Sequence, residues 1–261
     1  MQGLLKVMKK IPDIYAVPTT AGTGSEATAG AVITDGKSHY KFTILDLCLV
    51  PRYAVLDPEL TCALPPSITA VTGMDALTHA VEAYTNCFCS PNTKRTALDA
   101  VKLVYENLQQ AYENGKDIKA RENMLLASYY AGIAINNNFI GYVHAIAHGI
   151  GGVYGVTHGK ANAIVMPYVL EAFGKKAEKK LARMAEVVGI QGQDDNKKAK
   201  AFIESIRELN RKLGIGETIE ELKREDFEEL ARRAVKEGNP IYPVPKIWEK
   251  NEFLYVMDKI V

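Results

Sequence analysis

Along the first fifth of the chain, apolar positions fall in short runs closed by turn residues. Residues 14–17 end at Pro18, residues 31–34 at Asp35-Gly36, and residues 53–56 at Asp57-Pro58, so each reads as a short strand bounded by a turn. Residues 39–45 alternate apolar and polar side chains and are expected to pair with 31–34 as a hairpin. From Thr61 onward the apolar period lengthens to that of a helix, and nine segments are expected to be helical: 69–84, 92–112, 120–135, 141–151, 161–173, 175–188, 195–213, 224–237 and 250–260. The expected architecture is therefore mainly α, with a helical domain over residues 61–261 preceded by a few strands of a small α/β part over residues 1–60.

Several of these elements carry their own start and stop chemistry. Pro91-Asn92 supplies a turn and cap, Leu98, Val101, Val104, Tyr105 and Leu108 share the face behind it, and Asn114-Gly115 closes the helix. In 195–213, Ile203, Ile206, Leu209 and Leu213 form the stripe expected to be buried, with Lys197, Lys198, Lys200, Arg207 and Arg211 outside as a solvated face. Trp248 and the rings of Tyr15, Tyr40 and Tyr53 are expected to serve packing, and Asn136-Asn137-Asn138 reads either as turn and cap residues or as a substrate-orienting group.

Composition narrows the function classes. Of the 261 residues, 47% are hydrophobic and 24% charged, the mixture of a globular protein rather than a disordered, collagenous or coiled-coil one. Thirty-two basic residues against 31 acidic ones leave a formal charge of +1, too little to draw nucleic acid or anionic lipid to the surface. No apolar run approaches the roughly 18 residues that span a bilayer, and residues 1–10 lack the apolar core of a signal peptide. A cytoplasmic setting is expected, with no membrane and no nucleic-acid partner, and with Cys48, Cys62, Cys87 and Cys89 as reduced thiols because none are spaced C-x-x-C.

Histidine is scarce, yet His79, His144, His148 and His158 gather in two segments while His39 stands alone. Asp75 and His79 lie four residues apart, which on a helix puts a carboxylate and an imidazole on one face, one turn apart. His144 and His148 repeat that spacing before the glycine-rich stretch 149–155 and His158-Gly159. A single such pair is more often a hydrogen-bonded core histidine than a ligand. Two pairs and a further histidine in apolar surroundings would have to desolvate several imidazoles without recompense, which favours a mononuclear site of one Asp and three His for zinc or ferrous iron. A third element, Pro18-Thr19-Thr20-Ala21-Gly22-Thr23-Gly24-Ser25-Glu26, follows a strand. Its glycines and hydroxyls suit close approach of a phosphate or ribose, although it is neither G-x-G-x-x-G nor a Walker A sequence, and a capped strand-to-helix turn explains it equally well.

In this order the three elements resemble the iron-containing (group III) alcohol dehydrogenase family, whose fold is that of dehydroquinate synthase. The matching stretches are residues 18–26, Leu56-Asp57-Pro58-Glu59-Leu60, residues 72–84 from Thr72-Gly73-Met74-Asp75 through His79, Arg121-Glu122-Asn123-Met124, and residues 141–148 running on to His158-Gly159. The resemblance implies that Asp75, His79, His144 and His158 ligate Fe2+ or Zn2+, and that His148 lies beside the nicotinamide and relays a proton. It also implies that Thr19, Thr20, Thr23 and Lys41 contact NAD(P), and that the substrate is a small-molecule alcohol or aldehyde, with a homodimer as the assembly. Family members begin with a nucleotide-binding segment carrying a Gly-Gly-Gly-Ser-x-x-Asp motif that is not found before Pro18, and Ala29 stands where relatives carry a polar residue. The expectation is thus a metal-dependent alcohol dehydrogenase lacking part of its nucleotide-binding domain. Two other readings accompany it: a catalytically silent metal-binding fragment of such an enzyme, and a metal-dependent hydrolase with Glu82 as general base.

Overall fold

The structure, a computed structural model, describes residues 3–34 and 41–261. Its strands form two small sheets. In one, β1 (Gly3–Leu4) runs parallel to β4 (Lys41–Leu45), which pairs antiparallel with β3 (Gly30–Thr34) in a register that sets Gly30 opposite Leu45 and Thr34 opposite Lys41. This is the hairpin expected from the alternation, of which residues 39 and 40, and with them His39 and the Tyr40 ring, lie outside the described residues. In the other sheet β2 (Tyr15–Ala16) runs parallel to β5 (Tyr53–Ala54), and the Tyr15 and Tyr53 rings stack with centroids 4.8 Å apart. A two-residue strand such as β1 is too short to leave a periodic signal, and the hydropathy pattern passes over it.

Nine helices follow among the described residues: α1 (Pro66–Thr85), α2 (Pro91–Glu113), α3 (Ile118–Asn138), α4 (Tyr142–Tyr154), α5 (His158–Phe173), α6 (Glu178–Val187), α7 (Asp195–Lys212), α8 (Phe227–Gly238) and α9 (Lys250–Lys259). Each of the nine expected segments is there, with ends shifted by a few residues where capping side chains decide the boundary. Ser90, not Asn92, starts α2: its hydroxyl accepts the Thr93 N–H at 3.1 Å, and Pro91 fills a position whose N–H has no partner in any case. Asp117 accepts the Ala120 N–H at 3.0 Å at the head of α3, and Asp194 accepts the Lys197 N–H at 2.7 Å at the head of α7. Ile203, Ile206, Leu209 and Leu213 are buried as the stripe of α7 predicts. Trp248 is a packing residue, its ring 5.0 Å from Tyr142, 5.0 Å from Phe173 and 5.3 Å from Phe253.

The centre of the helical region is α1, which packs against α2, α3 and α5 and is buried almost without interruption from Thr69 to Thr85. Burial on all sides explains why it lacks a solvated polar face: its ionisable side chains, Asp75, His79 and Glu82 among them, are buried with the apolar ones. Near its start the Arg121 guanidinium of α3 is buried, and it donates to Thr69 Oγ1 at 2.7 Å and to the Gly115 carbonyl at 2.9 Å. Polar groups at this depth need such partners, because an unpaired one costs about 1–3 kcal/mol. At two positions α1 meets its neighbours without room for a methyl group. A Cβ on Gly73 would come within 2.3 Å of Leu108 Cδ1, and one on Gly159, the second residue of α5, within 2.0 Å of the Val71 carbonyl oxygen. Among the described residues no helix is long and apolar enough to cross a membrane.

The Gly159 contact is with backbone, which cannot swing aside. Gly159→Ala is therefore expected to destabilise the fold by about 2–3 kcal/mol and to move His158 away from α1, measured as a lower denaturation midpoint together with weaker metal binding.

Candidate metal centre

Three helices converge on one point. Asp75 and His79 project from the same face of α1, His144 comes from α4, and His158 is the first residue of α5. One donor atom from each lies within 4.8 Å of all the others. Asp75, His79 and His144 are buried, and His158 closes the group on its open side with 39% of its side chain exposed. The His79 and His144 rings stack at 4.6 Å, and Asp75 Oδ1 stands 3.4 Å from His158 Nε2 and 3.7 Å from His144 Nε2.

Behind His144 stands Glu82, two turns beyond Asp75 on α1. Its Oε2 lies 2.5 Å from His144 Nδ1 and accepts the Gly141 N–H at 2.9 Å, while its Oε1 accepts the Val143 N–H at 2.7 Å. A buried carboxylate thus occupies the N-terminus of α4, where the helix dipole favours negative charge. It accepts the Nδ1–H of His144 and so turns Nε2 toward the cluster, the arrangement by which carboxylates orient metal-binding imidazoles.

The donor set is rich in lone pairs and poor in hydrogens. The Asn162 amide nitrogen reaches Asp75 Oδ1 at 2.8 Å, His158 Nε2 at 3.1 Å and His144 Nε2 at 3.2 Å. With His144 in its neutral form, two amide hydrogens thereby face three acceptors. Asn162 Oδ1 and His79 Nδ1 are buried without a hydrogen-bond partner. Converging, undersatisfied lone pairs at buried positions fit a divalent cation, and three imidazoles with one carboxylate suit zinc or ferrous iron.

Charge reinforces this. Burial holds the His79 imidazole down at about 4 against the attraction of Asp75, and the Gly22 carbonyl nearby lifts it only slightly. Burial likewise holds His158 at about 3. For His144, burial is outweighed by the Glu82 and Asp75 carboxylates, which raise it to about 9. Asp75 lies below the usual carboxylate range, because the surrounding imidazoles overcome the cost of burying its charge. Near neutral pH His79 and His158 are consequently neutral candidate ligands beside an ionised carboxylate, whereas His144 would give up its Nε2 proton as a cation enters.

The other candidates from the sequence fall around this group. His148, one turn beyond His144, points outward; its ring lies parallel to that of His158 at 5.1 Å, and its Nδ1 is 2.7 Å from Glu237 Oε1. Thr19 and Thr23 are exposed and Thr20 half-buried on the loop after β2. That loop is pressed on α1, since a Cβ on Gly22 would meet Thr72 Cβ at 2.7 Å. Lys41 begins β4, and its side chain lies outside the described residues. The asparagine run is structural: Asn136 Oδ1 accepts the Ala29 N–H at 2.9 Å, and Asn138 donates to the Ala83 carbonyl at 2.7 Å. Glu82, committed to three donors behind His144, has no free edge with which to act as a hydrolase base. Asn162 and Glu237 escaped the sequence reading. Asn162 lies four residues after His158, a one-turn spacing that signals a shared face; Glu237 has no such local mark.

Comparison with known proteins decides the family. Residues 69–261 match the C-terminal model of the Fe-containing alcohol dehydrogenase family, and residues 2–58 match that of iron-containing alcohol dehydrogenase. The chain belongs to the iron-containing alcohol dehydrogenase family. Among relatives, it is 41% identical over 248 residues to alcohol dehydrogenase 4 of Saccharomyces cerevisiae, covering 92% of this chain and 64% of that protein. It is 42% identical over 241 residues to the 1,3-propanediol dehydrogenase of Citrobacter freundii, covering 91% and 62%, and 42% identical over 241 residues to the NAD-dependent methanol dehydrogenase of Bacillus methanolicus, covering 90% and 63%. The chain thus spans somewhat less than two thirds of these iron-type relatives. A solved 1,3-propanediol oxidoreductase superposes with a TM-score of 0.95 at 37% identity, over 100% of this chain and 69% of that one. The largely helical fold with a small strand portion agrees with these iron-containing alcohol dehydrogenases.

Two outcomes follow from the geometry. Glu82→Ala strands two helix N–H groups and the His144 Nδ1–H in the interior, and is expected to cost about 3–5 kcal/mol and to weaken metal binding about 10–100-fold, read by denaturation and by metal titration. In metal-free protein the cluster's contribution to stability should peak near pH 6.5. Toward acid it falls, since His79 and His158 bind protons near 6.5 when unfolded but only at about 4 and 3 when folded. Toward alkali it falls as well, because His144 keeps its proton up to about 9 only in the folded state. Thermal midpoints across pH 4–10 (about one-unit steps), in wild type and in His144→Gln, check this: the variant should lose the alkaline decline.

Proposed function

We propose that this protein is a metal-dependent alcohol dehydrogenase that transfers hydride between a small alcohol or aldehyde and NAD(P). Its Asp75, His79, His144 and His158 would hold one Fe2+ or Zn2+ ion. The observation that carries this reading is the convergence of those four donor atoms within 4.8 Å, with Glu82 orienting His144 from behind. A divalent ion there supplies Lewis acidity, making an alcohol hydroxyl more acidic or a carbonyl carbon more electrophilic with no redox change of its own. The nicotinamide supplies the hydride acceptor or donor.

This chain's own residues set the terms. The loop of Thr19, Thr20 and Thr23 rests on Thr72, two turns before His79. In our reading its hydroxyls, with Lys41, hold the dinucleotide beside the metal group. Oxidation of an alcohol releases a proton as well as a hydride. His148, exposed next to His158 and bound at Nδ1 by Glu237, offers Nε2 to take that proton toward solvent. Asn162 would hold Asp75 in place by its amide, while the Nε2 atoms of His144 and His158 that the same amide reaches would turn to the ion. On the division we propose, a strand portion over 1–60 and a helical portion over 61–261, every proposed metal ligand falls in the latter. A cytoplasmic setting accords with four free thiols.

Protein prepared anaerobically with iron or zinc supplied should bind about one ion per chain, one site offering four ligands, and reduce NAD(P) in the presence of short alcohols or diols. His79→Ala should abolish both, and His148→Gln should keep the ion while lowering turnover by about 10²-fold or more. Wild-type protein without bound metal would overturn the site, and bound metal with no cofactor response or turnover would overturn the activity.

A further inference from the structure

Glu237 is the last acidic residue of α8, and nothing in its immediate sequence marks it as functional. In the fold its Oε1 receives two hydrogen bonds, from His148 Nδ1 at 2.7 Å and from the Tyr242 hydroxyl at 2.8 Å. Exposed ion pairs ordinarily contribute little, because both side chains must be ordered to meet. Here the order exists already. The backbone that follows Glu237 is fixed to α4, the helix that carries His148. Gly238 packs so tightly on the Tyr142 ring that a Cβ would come within 2.7 Å of Cε1, and the Tyr142 hydroxyl donates to Asn239 Oδ1 at 2.5 Å. Asn239 in turn donates to the Trp248 carbonyl at 2.9 Å. The carboxylate is thus delivered to His148 by rigid neighbours, and Tyr242 holds it from the other side.

An imidazole packed only through its faces can flip about χ2 or exchange tautomers at little cost. The His148 ring lies parallel to His158 and edge-on to His144 at 5.8 Å, contacts that fix its plane but do not tell Nδ1 from the carbon that replaces it on a flip. The hydrogen bond to Glu237 does tell them apart. We infer that Glu237 is a positioning residue: it holds the His148 proton at Nδ1, so that Nε2 is presented bare, away from α8, as the proton acceptor of the reaction. Tyr242 keeps the carboxylate in that pose. The catalytic consequence rests on the alcohol dehydrogenase reading; the tautomer does not.

The test separates the two. Two-bond proton–nitrogen correlation spectra of zinc-loaded protein labelled with 15N-histidine, recorded above the titration midpoint found in the same spectra, report which nitrogen of His148 bears hydrogen. Wild type should show protonated Nδ1 and bare Nε2. Glu237→Leu should show the two forms mixed, and Glu237→Gln, which keeps an acceptor oxygen, should restore the wild-type pattern. In turnover, Glu237→Leu should lower kcat about 10-fold or more, a part of the roughly 10²–10⁴-fold ascribed to a positioned proton acceptor, with KM for the alcohol and metal content unchanged. Glu237→Gln should recover most of that loss, and Tyr242→Phe should lose less than Glu237→Leu. Thermal midpoints of each variant separate lost positioning from lost folding. An unchanged tautomer in Glu237→Leu overturns the inference, as does a rise in KM at constant kcat. If wild type itself shows no turnover, the alcohol dehydrogenase reading fails, while the spectra still decide the role of Glu237.

Discussion

The Glu82 carboxylate is buried between α1 and the head of α4, where it accepts the N–H groups of Gly141 and Val143 and the Nδ1–H of His144. Removing a charge from water at that depth costs several kcal/mol unless donors surround it. The helix terminus and the imidazole are those donors, and each in turn needs the carboxylate. Gly141 makes the approach feasible, since a Cβ there would sit 2.9 Å from Glu82 Oε1. One turn further along α1, the Asn86 amide reaches the carbonyls of Asn138, Phe139 and Ile140 at 2.9–3.2 Å, tying down the connection between α3 and α4. A single face of α1 therefore bears Asp75, His79, Glu82 and Asn86 in succession: two proposed ligands, the support for a third, and the clamp on the helix that carries it.

Much of this was legible in the sequence because it is local. The helices announce themselves by period, and the spacing of Asp75 and His79 is a statement about one turn of one helix. His144 and His148 share that spacing and yet part company, since one turn along α4 is enough to pass from the buried interior to the exposed rim. Spacing alone could not tell which of the two joins the cluster; the family resemblance did. Glu82, Asn162 and Glu237 act across long stretches of chain, 62 residues separating Glu82 from His144 and 89 separating His148 from Glu237. No window of sequence contains both ends of such a pair, and the sequence accordingly leaves Glu82 open to an alternative reading as a general base.

Burial is graded across the group. Asp75, His79 and His144 sit in the interior, His158 is partly exposed, and His148 is exposed. Groups in the interior are fixed by packing and by the partners behind them. Those at the rim must be fixed by other means, which is where the contacts of Glu237, Tyr242 and the Asn239 amide enter. The cluster thus has a closed side that holds charge and an open side that faces solvent.

The glycine contacts bear on how such a protein can diverge. At Gly159, Gly73 and Gly22 the Cβ of any other residue would fall within 2.0–2.7 Å of atoms in α1 or α2. No single substitution at these places escapes the collision, and a compensating one would have to move backbone or core side chains that also set the position of Asp75 and His79. The seat of the cluster can therefore change only by concerted substitutions, which arise more rarely than single ones.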